Sequence, residues 1–149
     1  MWLFAACADP CKNTNCQHGA ECYKGTCICA TGYEGSACET EWSQKFVGSF
    51  AAVTAADCTK TFPSDILRTD LFHLSIRNLG GYIGTNGCTN YTVVATLKSS
   101  TSFTIDDTFC TDFHITARGD YDPATRQLVV HYNCIHGSNT DNCTVVYPF

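Results

Sequence analysis

The chain has 149 residues, a net charge of -5 and twelve cysteines. That length holds one ordinary core plus a small module. The acidic balance and the lack of a Lys/Arg cluster argue against nucleic acid as a partner, and no apolar run reaches the length of a membrane helix. Cysteine at about 8% of residues points to an oxidising compartment outside the cytoplasm.

Met1 to Ala6 reads Met-Trp-Leu-Phe-Ala-Ala and is followed by Cys7. This resembles the end of a bacterial lipoprotein signal, which implies a lipid on Cys7 and attachment to a membrane by that anchor alone. The other reading of the apolar hexapeptide is a strand donated to a neighbouring copy of the chain.

Six cysteines follow at Cys11, Cys16, Cys22, Cys27, Cys29 and Cys38, closed by Gly32-Tyr33-Glu34-Gly35-Ser36-Ala37-Cys38. So short a stretch has too little apolar surface for a core, and covalent staples must hold it. The order C-x4-C-x5-C-x4-C-x-C-x8-C with its G-Y-x-G-x-x-C ending resembles the EGF-like family, and residues 8–40 form the corresponding module. The resemblance implies bonds from Cys11 to Cys22, Cys16 to Cys27 and Cys29 to Cys38. It also implies positive φ at Gly32 and Gly35 and an aromatic packing role for Tyr33. Calcium-binding members carry acidic or amide residues before the first cysteine and in the third-to-fourth cysteine loop. Here Ala8-Asp9-Pro10 and Tyr23-Lys24-Gly25-Thr26 stand there, so no calcium is expected.

Glu39-Thr40-Glu41 make a polar joint. From residue 43 to 149, short alternating runs rich in Thr, Val, Phe, Tyr and Ile replace the cysteine-dense pattern. Strands are expected over Lys45–Thr54 with a bulge at Gly48, Leu71–Ile76, Tyr91–Lys98, Thr101–Ile105, Thr111–Ala117, Arg126–Tyr132 and Cys143–Tyr147. A turn over Arg118–Thr125 joins the fifth and sixth. About seven antiparallel strands without a helix predict a mainly β fold, a barrel or a sandwich. Lys45-Phe46-Val47-Gly48-Ser49-Phe50 resembles the opening strand of lipocalin-like barrels, with Phe50 as the aromatic two places after Gly48. The whole segment resembles the β-rich domains of surface lipoproteins from Bacteroidetes-type bacteria.

Five cysteines fall in this domain. Cys58 with Cys143 and Cys110 with Cys134 are the expected pairs, the second needing a bulge because strict alternation sets its members on opposite faces. Cys88 is then left over, free or bonded to Cys7 within or between chains. The spacings match no zinc module.

The expected hairpin register pairs Phe113 with Val130 and Ile115 with Leu128. That sets Asp112 beside His131 with His114 nearby, a set that could hold a metal or tune a proton but reads better as a solvated face. Asp120 and Asp122 fit turn chemistry better than calcium, and the consecutive Asp106 and Asp107 point to opposite faces. No Gly-x-Ser-x-Gly elbow occurs. No catalytic site, cofactor or metal is therefore expected. Asn90-Tyr91-Thr92 and Asn142-Cys143-Thr144 have the pattern of glycan acceptors.

These features suggest an extracellular, non-enzymatic structural protein whose copies assemble into a surface fibre. The alternative is a surface lipoprotein whose β domain binds a small apolar ligand or a glycan. An adhesin contacting other cell-surface proteins through the EGF-like module is a variant of the first.

Overall fold

The computed structural model describes residues 9–149. The expectations for Met1–Ala6 and Cys7 lie outside the described residues. The chain divides into two compact units, the first ending at Glu41 and the second running Trp42–Phe149.

The first unit has four short strands in two hairpins. β1 (Glu21–Tyr23) pairs with β2 (Thr26–Ile28), and β3 (Tyr33–Glu34) with β4 (Thr40–Glu41), so the expected polar joint is partly a strand. Lys24 and Gly25 turn the first hairpin at φ 50° and 85°, the left-handed pair that matches strand twist in a two-residue turn. Disulfides join Cys11 to Cys22, Cys16 to Cys27 and Cys29 to Cys38. Gly32 and Gly35 both sit at φ 99°. The His18 ring stacks on Tyr33 at 4.2 Å and its Nδ1 lies 2.8 Å from the Cys38 carbonyl oxygen, so cross-links and one ring pair take the place of a core.

The second unit is a closed antiparallel barrel of eight strands, where about seven were expected. A 3-10 helix (Trp42–Phe46) leads into β5 (Gly48–Ala55), followed by β6 (Lys60–Arg68), β7 (His73–Arg77), β8 (Thr92–Ser99), β9 (Ser102–Phe109), β10 (Phe113–Asp122), β11 (Gln127–His136) and β12 (Asn139–Pro148). Each strand pairs with the next, and β12 returns to β5. β6 is the strand absent from the sequence reading, because Pro63 within it donates no backbone hydrogen bond. The structure accommodates it by a bulge in β5: Phe50 faces Ser64 and Val53 faces Phe62, leaving Ala51 and Ala52 opposite Pro63. The bulge lies there and not at Gly48.

A second correction concerns the β10–β11 hairpin. Arg118–Asp122 continue the strand, and the chain reverses over Pro123–Arg126, where the Asp122 carboxylate accepts from the Ala124 N–H and the Thr125 hydroxyl. Phe113 therefore pairs with His136 and Ile115 with Cys134, while Val130 faces Gly119 and Leu128 faces Tyr121. Gly119 is required in the strand: a Cβ there would lie 2.2 Å from the Phe103 ring.

Alternate side chains fill the barrel. Ile66, Leu74, Ile76, Val93, Phe103, Ile115, Leu128, Val130, Val145 and Tyr147 are fully or almost fully buried. The 3-10 helix closes one end by inserting Phe46 edge-on to Phe103 and Tyr121, both at 5.8 Å. Phe50 packs on Tyr147 and Phe149 at 5.1 Å each, which is why position 48 has no side chain: a Cβ there would meet the Phe50 ring at 2.7 Å. The one deep hydroxyl pair is satisfied, with Ser64 donating to the Arg77 carbonyl at 2.8 Å and Tyr147 to Ser64 at 3.0 Å.

The seam between β12 and β5 has a single register pair, Val146 with Thr54. Beside it the Cys58–Cys143 disulfide ties the β5–β6 turn to β12, and the Asp57 carboxylate accepts the Thr144 backbone N–H at 2.8 and 3.0 Å. That backbone hydrogen bond holds the Asp57 carboxyl below its ordinary pKa. Cys88 bonds to Cys110, not to Cys7, and among the described residues Cys134 is the free thiol, buried inside the barrel. The expected Cys110–Cys134 pair fails because the true register sets Cys134 opposite Ile115, several residues along the chain from Cys110, which bonds to Cys88 instead.

Two outcomes follow from this packing. In the chain-entropy treatment, removing Cys58–Cys143, which spans 85 residues, should cost about 4.5 kcal/mol, against about 3.5 kcal/mol for Cys88–Cys110, which spans 22. Urea unfolding of the two double-serine variants measures the order, and equal losses would contradict the seam's importance. Gly119→Ala should lower stability by about 1–3 kcal/mol through overpacking against Phe103, and an unchanged urea midpoint would show that the ring can yield.

Candidate functional site at the mouth of the barrel

The end opposite the 3-10 helix carries the turns 56–59, 110–112 and 137–138 and the long β7–β8 loop, residues 78–91. Short turns are dictated by neighbouring antiparallel strands, but a fourteen-residue connection is not. This loop is fastened across the mouth. Asn78 donates to the Pro63 carbonyl at 2.8 Å and accepts from the Ile83 N–H at 3.1 Å. The Tyr91 hydroxyl donates to the Leu79 carbonyl, and Cys88–Cys110 pins the loop to the β9–β10 turn. Leu79, Tyr82, Cys88 and Tyr91 are buried beneath it.

Under the loop runs a column of rings. Tyr91 stacks on Phe109 at 4.0 Å, Phe109 on Phe113 at 5.1 Å and Phe113 on His136 at 5.0 Å. Tyr82 lies across the column, 5.2 Å from Phe113 and 5.6 Å from His136. Phe113 and His136 are register partners on adjacent strands, so the pleat itself places their rings face to face.

A polar cluster sits on this apolar column. The Tyr82 hydroxyl and the Lys60 ammonium both donate to Asp141 Oδ2 at 2.7 Å. Lys60 Nζ also lies 4.2 Å from the centre of the Tyr82 ring. His136 Nε2 is 3.6 Å from the same carboxylate oxygen, beyond hydrogen-bond distance, and neither ring nitrogen of His136 has a partner. The Tyr132 hydroxyl, one inward position from Cys134, is buried beside that of Tyr82. Burial opposes ionisation of Asp141, but the hydrogen bonds from Lys60 and Tyr82 and the nearby positive charge outweigh it, and its pKa falls below the ordinary carboxylate value. Burial, then the Asp141 hydrogen bond, drives the Tyr82 phenol far upward; burial raises the Cys134 thiol as well.

Two clefts open onto this cluster. One, of about 340 Å³, is lined by Lys60, Gly81, Tyr82, His136 and Asp141 among others. The other, of about 720 Å³, is polar, with Asn86, Asn90, Asp112 and Asn139 on its walls. Asn86, His136 and Asn139 border both.

The residues singled out in the sequence lie mostly elsewhere. His131 faces Arg118, not Asp112, and donates or accepts at Thr144 Oγ1, 2.9 Å away on the outer wall. His114 Nε2 meets Asp106 at 2.8 Å, exposed, so Asp112, His114 and His131 form no ligand set. Asp107 accepts the Val94 N–H, and Asp120 takes a two-pronged contact from Arg118 at 2.8 and 2.9 Å, which lowers its pKa. Among the described residues Asp57, Cys58 and Cys143 come within 4.8 Å of one another, but both sulfurs are consumed in the disulfide. Asn90 is exposed at the mouth and accepts from Arg77; Asn142 is exposed on β12 and accepts from Asn133 at 2.7 Å. The sequence reading named none of Lys60, Tyr82, His136 and Asp141. They lie in four different elements, and only the length of the 78–91 connection hinted at them.

Comparison with family models, curated proteins and solved structures found no match to this chain.

Ionised Asp141 stabilises the fold above the unfolded carboxylate pKa of about 4, and that contribution is lost as pH falls through its lower folded value. Asp141→Asn should therefore make the acid limb of the stability profile shallower between about pH 5 and pH 2. Circular dichroism against pH reads this, and parallel acid limbs would show that the cluster contributes nothing.

Proposed function

We propose that this is an extracellular, non-enzymatic binding protein, in which the barrel takes a small ligand at its mouth and an EGF-like N-terminal module acts as spacer or docking unit. One observation supports the reading above the others. At the mouth of the barrel, the unpartnered ring nitrogens of His136 gather with the Lys60–Asp141 pair beside an open cleft. Buried polar groups without partners are costly, and evolution retains them mainly where something else supplies the partner. The five disulfides suit a chain that matures in an oxidising compartment.

The packed interior sets the kind of ligand. Phe103, Leu128, Val130 and Tyr147 occupy the depth of the barrel, so a ligand lies at the mouth and not along the axis. The Tyr82 and His136 rings in the cleft wall suit a small body with apolar or aromatic surface. Attachment to a cell surface through Cys7, and self-assembly into a fibre through Met1–Ala6, remain proposals for a segment outside the described residues.

The uncharged fluorophore N-phenylnaphthylamine tests the site. Saturable one-to-one enhancement of its emission is expected, weakened about tenfold or more by Asn139→Trp, which places an indole in the cleft from an exposed rim position. No saturable binding, or binding indifferent to Asn139→Trp at an unchanged melting temperature, would overturn the reading.

A further inference from the structure

The arrangement around Lys60 is itself a recognition complex. Its ammonium lies 2.7 Å from a carboxylate oxygen and 4.2 Å from the centre of a tyrosine ring, with the Tyr82 hydroxyl on the same oxygen. A carboxylate and an aromatic face are the two groups that bind an organic ammonium, one by a charge-assisted hydrogen bond and the other through the ring quadrupole. Here the ammonium belongs to the protein. It stands at the first residue of β6, on a flexible four-carbon stem, with about a third of the side chain, 32%, in solvent. Rotation of that stem would carry Nζ into water and leave Asp141 and the Tyr82 ring facing the 340 Å³ cleft.

Charge decides what can enter. A neutral ligand that displaced Lys60 would leave the Asp141 carboxylate, 28% exposed, without its cation, and an anion would add repulsion to that loss. An ammonium exchanges like for like: it returns both the salt bridge and the ring contact while Lys60 regains full hydration. The neighbouring ring of His136, with its nitrogens unpartnered and its face on Phe113, extends the apolar wall past the charged end.

Building on the mouth as the binding site, we propose that its ligand is a small primary amine with an aromatic or apolar body, whose ammonium replaces that of Lys60 on Asp141 and Tyr82. Lys60 is then an internal competitor. It lowers apparent affinity by the fraction of time it occupies the site, and it keeps the carboxylate paired when no ligand is present.

Isothermal titration of the full chain with phenethylamine, phenethyl alcohol and phenylacetate tests the class, since the three differ in the end group. Phenethylamine should bind at one site, with the alcohol and the acid weaker by about tenfold or more. Lys60→Met, which keeps the stem and removes the charge, should tighten phenethylamine by about tenfold. Asp141→Asn should abolish binding. Should Lys60→Met melt lower than wild type, methylammonium chloride should restore its melting temperature more than the same concentration of sodium chloride. The alcohol or the acid binding as well as the amine would overturn the amine class while the N-phenylnaphthylamine result still upholds the mouth. Failure of all three compounds together with that fluorophore would overturn both.

Discussion

Closure of the barrel between β12 and β5 is the constraint on which the second unit depends. Seven of the eight strand junctions are hairpins, in which a tight turn or an anchored loop delivers the partner; the eighth joins the ends of the sheet and must be found across the whole domain. Backbone pairing there reduces to Val146 with Thr54. A carboxylate stands in for a strand carbonyl at Thr144, and a covalent bond fixes Cys143 to Cys58. Once the seam shuts, the interior alternation of all eight strands is enclosed in a closed barrel.

The two ends of the barrel are built by different means. One is plugged by side chains, with Phe46, Phe50, Tyr121 and Phe149 packed edge to face. The other is covered by a loop whose own polar groups tie it down, and that is where the polar cluster survives. A loop fastened by hydrogen bonds, a disulfide and a ring column, with no regular secondary structure of its own, can yield locally without opening the sheet.

The sequence disclosed the fold where physics acts locally. Alternation in Leu71–Ile76 and Tyr91–Lys98 announces strands because one face of each is buried, and the positive φ expected at Gly32 and Gly35 is found. It misled where a residue type serves a distant neighbour. Gly119 reads as a turn former, yet its lack of a side chain makes room for Phe103 on the adjacent strand; that one misreading displaced the hairpin register by six residues and placed Cys134 beside Cys110 when its partner is Ile115. Pro63 hid β6 because its compensation, the bulge at Ala51 and Ala52, lies in another strand. The site residues were harder still. Lys60, Tyr82, His136 and Asp141 are ordinary surface or core types taken singly, and only barrel closure makes them neighbours.

Cys134 gives maturation a deadline. Until β11 is enclosed, the unpaired Cys134 thiol accompanies the ten cysteines that form disulfides among the described residues, and each of those bonds is open to attack by its thiolate. Enclosure ends the exposure twice over, by withdrawing the sulfur from collision and by raising the pKa at which it becomes nucleophilic. The disulfides among the described residues are thus shielded from this one sulfur atom once the barrel has shut, and it is in a chain whose barrel has not yet closed that it can exchange with them.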